Sequence, residues 1–506
     1  MMSVATARPL APQASKKKPA KEPLKFSLKE ILWPLAFLLS MSMLGLHIPV
    51  GFLFVPLILL QRFMKDRYDF IIMLTILVGG YAFVEGPDVY IDLMLLTTLV
   101  WVLACLMLRK PPILRNVFWA VVGFAVAQLV IMSQSLESIR VQWPGLRDSL
   151  TIGYLFVPFV VFSGRSFDIR VFFKRLMAYV LIICVFYIID SALVGGQFLI
   201  PRDPSFYHSG LVSVINDLHT GDFFIRRWPL ALKLLVIAVF PIAKYYKLNV
   251  WQWALILGAL VVCRTFTFTA GVILGYVFLK GSGMQLLKYG GICIVAITAL
   301  YFIDGSLGET EIVSDVNEEE VTVTSTLRIK SQIDQLLFFD MSKADEQTLA
   351  KLGTNRGAQI IPKLALLYEL GKEWTGLGYL HRENTKISQY IIDNDMYFDI
   401  DNSVEVATGV ECEPVQLLLT IGYFGILLYV AFYYMLWRFI RKLPYASFYV
   451  SVLGMFAFIG IAGAGILSHS SLILVALSYS AVILNSKDNL DWGPRSKRKR
   501  IKEAKA

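Results

Sequence analysis

Four side chains, Arg264, Arg356, Glu411 and Glu413, could carry chemistry. Arg264 interrupts two apolar runs, in Val261-Val262-Cys263-Arg264-Thr265-Phe266-Thr267. A charged residue between membrane-like runs is a functional candidate by default, and a guanidinium suits bidentate contact with a phosphate. A helix-end arginine snorkelling to the surface is the structural alternative. Arg356, in Asn355-Arg356-Gly357, opens an amphipathic stretch that ends in Trp374-Thr375-Gly376-Leu377-Gly378-Tyr379. Here the alternative is a solvated loop cation. Glu411 and Glu413 precede Pro414 in Val410-Glu411-Cys412-Glu413-Pro414-Val415-Gln416, and the run continues to Ile421-Gly422-Tyr423-Phe424-Gly425. Proline fits the first turn of a helix. A carboxylate at that helix end either caps its dipole or serves as a base or acceptor-binding group.

Other signals point away from chemistry. Asp393-Asn394-Asp395 has the Asp-x-Asp form of a metal-binding transferase motif, but it falls on the side of the membrane where nucleotide sugars are absent. His208 and His219 are too far apart for a helical ligand pair and lack a third ligand. Neither a Walker motif nor a Ser-His-Asp signature is present. Cys105, Cys184, Cys263, Cys293 and Cys412 form no CxxC pair and read as small hydrophobes. No metal and no cofactor is expected.

The elements that must position these residues are membrane helices. The 506 residues are 56% hydrophobic and 17% charged, against about 25% charged in soluble domains; the mean hydropathy is +0.60. Apolar runs recur from residue 31 to residue 485, and many approach the ~20 residues that cross a bilayer core. Inside lipid such runs satisfy their backbone as helices. The expected fold is all-α: a polytopic helical membrane protein with about fourteen transmembrane helices. These lie near 29–46, 48–61, 69–85, 90–108, 116–133, 150–163, 176–194, 229–245, 249–263, 265–280, 288–303, 414–437, 446–465 and 469–485.

Cations set the orientation. Arg62, Lys65 and Arg67; Arg109, Lys110 and Arg115; Arg165, Arg170, Lys174 and Arg175; Lys244 and Lys247; Lys280 and Lys288; and Arg438, Arg441 and Lys442 all fall in alternate connections. These connections are assigned to the cytoplasm. The intervening ones are acidic (Glu85, Asp88) or hydroxyl-rich (Ser468, Ser470, Ser471) and lie outside. The predicted organisation is a disordered basic cytoplasmic tail (1–28), helices 1–11 (29–303), a large periplasmic loop (304–413), helices 12–14 (414–485) and a second basic cytoplasmic tail (486–506). In the loop acids outnumber bases roughly two to one, and a helical periodicity from about 326 to 373 predicts a largely helical cap. The basic tails read as anchors on anionic lipid, not as nucleic-acid binders.

Taken in order, these segments resemble the O-antigen ligase and Wzy-type O-antigen polymerase superfamily. Cys263-Arg264-Thr265 looks like the family's Ser-Arg step between central spans. Arg356 with Gly376-Leu377-Gly378 looks like its loop arginine, helix and Gly-x-Gly. Glu411 through Gly425 looks like its His-Asn-x-x-Leu-Gln segment, with Gln416, Gly422 and Gly425 in register. The resemblance covers roughly residues 230–440. Glu411 stands where ligases have histidine and Cys412 where they have asparagine, which favours the polymerase branch or a relative with a carboxylate in that role.

The resemblance implies a GT-C-like inner-membrane glycosyltransferase, metal-independent and inverting, with its active site on the periplasmic side. The donor would be a saccharide on undecaprenyl diphosphate. Arg264 and Arg356 would hold the diphosphate, and Glu411, or Glu413 if the register shifts, would activate the acceptor. Membrane lipid, a flippase and a chain-length regulator are the implied partners. The alternatives are a ligase that transfers finished glycan to a lipid or protein, and a non-enzymatic transporter or flippase. Transporters concentrate ionisable groups at the midplane and show repeats, which this sequence does not.

Overall fold

A computed structural model of the chain describes residues 21–45, 48–79, 112–135, 149–163, 165–193, 230–262, 266–280, 370–378, 413–460 and 468–486. It adds short pieces at 96, 99–100, 103, 142–143, 199–200 and 367–368. Arg264, Arg356 and Glu411 lie outside the described residues, as do residues 1–20 and 487–506 of the tails, most of the 304–413 loop, most of the expected helix at 90–108 and all of that at 288–303.

What is described is helical. Leu28–Gly45, Ile113–Met132, Ile169–Asp190 and Glu413–Ile440 are each long and apolar enough to cross a membrane. Val250–Val262, Phe266–Lys280, Ala446–Gly460 and His469–Leu484 are apolar but shorter. The chain is therefore a helical protein with membrane-spanning segments. One expected span takes another form. In place of a helix over 150–163, a 3-10 turn (Thr151–Phe156) runs into a five-residue helix, Val157–Val161. The segment is buried against His469–Leu484. At ~2 Å per 3-10 residue and ~1.5 Å per α residue it is too short to cross ~30 Å of hydrocarbon.

The helices pack closely through small residues where backbones must approach. Gly271 and Gly275 of the Phe266–Lys280 helix face Ile459 and Met455 of Ala446–Gly460, and a β-carbon at either glycine would overlap those side chains. Spacing of small residues by four is a membrane packing device.

Polar contacts gather at two ends. At one end, Glu22–Pro23 pairs as a parallel strand with Tyr246–Lys247, and Lys21 Nζ donates to the Ile242 carbonyl at 2.8 Å. Burial, then the Lys280 and Lys244 ammonium groups, lower the Lys21 pKa. The same end carries a chain of ion pairs. Lys174–Glu30 (2.8 Å) and Arg175–Glu30 (3.5 Å) lead to Arg175–Asp66 (3.0 Å), and Arg62 joins Asp66 (3.5 Å) to the fully buried Asp69 (3.1 Å). Asp66 also caps the Arg67–Val78 helix, accepting from the Tyr68 and Asp69 amides. Every segment here is one that the cation rule assigns to the cytoplasm. A second set of polar contacts involves Ser135 and Ser468–Ser471, from connections assigned outside, together with Val78, Thr151 and Lys233, from within the expected spans at 69–85, 150–163 and 229–245.

Candidate functional site

Glu413 begins a 28-residue helix, with Pro414 in its first turn. The helix is broken at Gly422, whose φ of 64° and ψ of −169° are not helical. A break frees carbonyls before it and amides after it, and in a membrane those groups need partners. The Gly-x-Gly segment supplies them. The Leu377 amide donates to the Leu419 carbonyl (2.6 Å) and Gly378 to Thr420 (2.9 Å); in return Tyr423 donates to Glu373 (2.9 Å) and Phe424 to Trp374 (3.1 Å).

Glycine is required on both sides of this joint. Gly376 (φ 75°) and Gly422 both occupy the left-handed region, which disfavours L side chains. A β-carbon on Gly376 would overlap the Thr420 backbone, and one on Gly422 the Trp374 backbone. Gly378 (φ 101°) presses on Ser135 and Gln142, and Ser135 Oγ donates to the Leu377 carbonyl at 2.5 Å. Trp374 packs against Tyr423 and Phe424, with centroids 5.5 and 5.2 Å apart. All three rings are partly exposed, as suits an aromatic belt at the membrane boundary. The Tyr368 and Tyr423 hydroxyls meet at 2.8 Å, and this hydrogen bond, followed by burial, raises the Tyr368 pKa.

The break also redirects Glu413. In a straight helix residues 413 and 437 would be about 36 Å apart. Instead Glu413, Pro414 and Leu417 line the same cavity as Ile426, Tyr429, Tyr433 and Trp437, facing Tyr449, Leu453 and Ala457 of the next helix. The segments on either side of the Gly422 break therefore border one cavity. The cavity holds about 460 Å³. Its lining is aliphatic and aromatic, with Glu413 as its one carboxylate among the described residues. The Glu413 side chain is buried.

The fold also buries an ionisable group that the sequence reading passed over. Lys233, in the Leu230–Lys244 helix, is 2% exposed. Its Nζ donates to Ser468 Oγ (2.5 Å) and Ser470 Oγ (2.8 Å), and Ser468 Oγ donates on to Ser471 Oγ (2.8 Å). The signal was available: a lysine inside an apolar run, Leu230-Ala231-Leu232-Lys233-Leu234-Leu235, is the kind of residue whose burial demands a partner.

His469 links neighbouring elements of the fold. Its Nε2 faces the Val78 carbonyl (2.6 Å), which can only accept, so Nε2 carries the proton; Nδ1 meets the Thr151 hydroxyl (2.9 Å). Both ring nitrogens are engaged in tying helices together.

Of the four candidates drawn from sequence, the structure thus describes Glu413 alone. It brings together two of the three motif segments, Gly376–Gly378 and Gln416–Gly425. No metal-ligating cluster of His, Cys, Asp or Glu occurs among the described residues. No family model, curated protein or solved structure matches the chain.

Proposed function

We propose that this protein is a membrane glycosyltransferase that lengthens saccharides carried on undecaprenyl diphosphate, at the periplasmic face of the bacterial inner membrane. The supporting observation is the joint between Gly376–Gly378 and the helix break at Gly422. The two stretches lie some forty residues apart in the chain and resemble consecutive motifs of one enzyme family, and they are hydrogen-bonded to each other in both directions. Glu413 lines an apolar cavity whose far wall, Ala446–Gly460, also packs against Phe266–Lys280, the helix that follows Arg264 in the sequence.

In this reading the acceptor hydroxyl attacks the anomeric carbon of the donor sugar. The bond from that carbon to the diphosphate oxygen breaks with inversion, and undecaprenyl diphosphate leaves. Arg264 and Arg356 stabilise the charge growing on the leaving diphosphate. Glu411 takes the hydroxyl proton, with Glu413 as the alternate for that role. The apolar cavity accommodates part of the lipid carrier. A GT-C-like arrangement with about fourteen spans, both termini cytoplasmic, belongs to the same proposal.

The test is polymer length in cells carrying Arg264→Ala or Arg356→Ala. Loss of long chains is expected. Unchanged polymer from folded, normally abundant variants would overturn the assignment. A modified lipid or protein acceptor, in place of longer lipid-linked chains, would move the protein to the ligase branch.

A further inference from the structure

We propose that a groove between the Ile113–Met132 and Glu413–Ile440 helices binds one anionic phospholipid, with an acyl chain in the groove and the phosphate held by Arg115 and Arg438 at its mouth. The inference concerns the leaflet on the cationic side of the protein and does not rest on the glycosyl-transfer reading.

The two helices run antiparallel, and their contacts fix the register. Gln128 donates to the Tyr429 hydroxyl at 3.2 Å. Phe124 stacks on Phe432 with ring centroids 4.2 Å apart. Asn116 lines the same cavity as Met435 and Phe439. This cavity, of about 400 Å³, shares no lining residue with the one beside Glu413. Gly123 provides its hollow, since a β-carbon there would meet nothing within 4 Å. Asn116 carries the one side-chain amide of an otherwise apolar lining.

The dimensions select the occupant. From Asn116 to Phe124 one helix rises about 12 Å, and from Leu428 to Phe439 the other rises about 17 Å. Half of a bilayer's hydrocarbon core is about 15 Å. The groove is thus one leaflet deep, which suits the chain of a single phospholipid; a long polyprenyl chain would overrun it. Past Phe124 the seam is bridged by the Gln128–Tyr429 hydrogen bond and by a Phe124–Tyr429 ring contact at 4.9 Å.

The mouth is cationic and has no counter-charge of its own. Arg115 stands four residues before Trp119, and Arg438 three after Met435, so each shares a helix face with a groove residue. Both arginines are exposed, as are Arg441 and Lys442 just beyond. Among the described residues none of the four enters an ion pair. No acid occurs between Asp92 and Glu137 or between Glu413 and Asp488, so neither helix supplies a carboxylate at this end. A lipid phosphate does supply the missing charge, and a guanidinium binds phosphate oxygens through paired N–H donors. Trp119, 63% exposed, lies between mouth and groove, where an indole suits the membrane boundary. Basic pockets between membrane helices are a recurring means of holding anionic headgroups.

The experiment uses the full-length protein purified in mild detergent. The probes are palmitoyl-oleoyl phosphatidylglycerol and palmitoyl-oleoyl phosphatidylcholine, which share their chains and differ in headgroup charge. Native mass spectrometry follows bound lipid over a titration, and thermal unfolding without added lipid checks that each variant folds. The wild type should retain one phosphatidylglycerol in preference to phosphatidylcholine. Arg115→Gln/Arg438→Gln should lose that preference. Its affinity for phosphatidylglycerol should fall about fivefold per arginine, with the lipid-free midpoint near wild type. Gly123→Leu keeps both arginines and fills the hollow. Leucine is the better helix former, so this variant should fold normally and yet retain neither lipid.

Equal retention of the two lipids by the wild type would overturn the recognition of charge. Wild-type binding by Gly123→Leu would overturn the groove as the chain site. Displacement of phosphatidylglycerol by equimolar undecaprenyl phosphate would give the groove to the lipid carrier and overturn the inference.

Discussion

Gly376 and Gly422 each occupy the space that the other's neighbouring backbone leaves free: a β-carbon on the first would meet Thr420, and on the second Trp374. Each has a positive φ. The reciprocity means that neither segment can settle into this joint without the other, which makes the joint a sharp target for mutation.

Gly376→Ala and Gly422→Ala should each destabilise the protein by roughly 2–5 kcal/mol. Forcing an L residue to positive φ costs ~1–2 kcal/mol, and overpacking adds ~1–3. Gly454→Ala is the matched control. It lies in the Ala446–Gly460 helix with open space where a β-carbon would go, so it should be neutral or stabilise by about 0.5–1 kcal/mol. Chemical or thermal denaturation in detergent measures all three. Equal effects at Gly376 and Gly454 would mean that the joint is not formed.

The ion-pair chain at the opposite end makes a separate prediction. Arg62→Met leaves Asp69 fully buried without its partner at 3.1 Å and should cost about 3–5 kcal/mol. The Arg62→Met/Asp69→Leu double variant should be close to neutral, because Asp66 keeps Arg175 at 3.0 Å. A double-mutant cycle on unfolding free energies gives the coupling. A coupling near zero would show that the pair does not form in the folded protein.

The two ends differ in how much of them was legible in the sequence. That cationic connections share one end was readable, because cations recur in alternate connections and the folded chain gathers Arg62, Lys174 and Arg175 with Glu30 and Asp66. The turn at Gly376–Gly378 and the helix start at Pro414 were also readable, since both rest on local backbone preferences. The break at Gly422 was not. A single glycine in an apolar run is ordinary, and what stabilises the break is a set of hydrogen bonds from residues 373–378, distant in sequence. The 151–161 segment misled for a related reason: its composition is that of a span, and only its packing against His469–Leu484 shows that it is a short buried insert. Lys233 was hidden by averaging, since one lysine barely lowers the hydropathy of the run around it.

Polarity itself can be checked on a cysteine-free background. A cysteine at Trp374, 52% exposed beside the helix break, should react with a membrane-impermeant maleimide added outside spheroplasts. A cysteine at the exposed Lys247, which lies in the strand paired with Glu22–Pro23, should react only after the membrane is opened. Labelling of both from one side would refute the two-ended assignment.

The cavity beside Glu413 supports a last prediction. Ala457 lies on its wall, across from Tyr429 and Tyr433, so Ala457→Trp would fill part of its volume of about 460 Å³. The substitution adds no charge and removes no hydrogen bond, and a partly open cavity within the membrane can take an indole with little strain. Folding should therefore survive, as judged by abundance and thermal midpoint. If the cavity holds part of a lipid-linked substrate, however, product formation should fall through a raised KM, with kcat less affected, because the change blocks uniform binding and leaves the reacting groups in place. Gly454→Ala, on the same helix and with room for the added methyl, should leave both constants near wild type. A normal KM in a folded Ala457→Trp protein would show that the substrate does not enter this cavity.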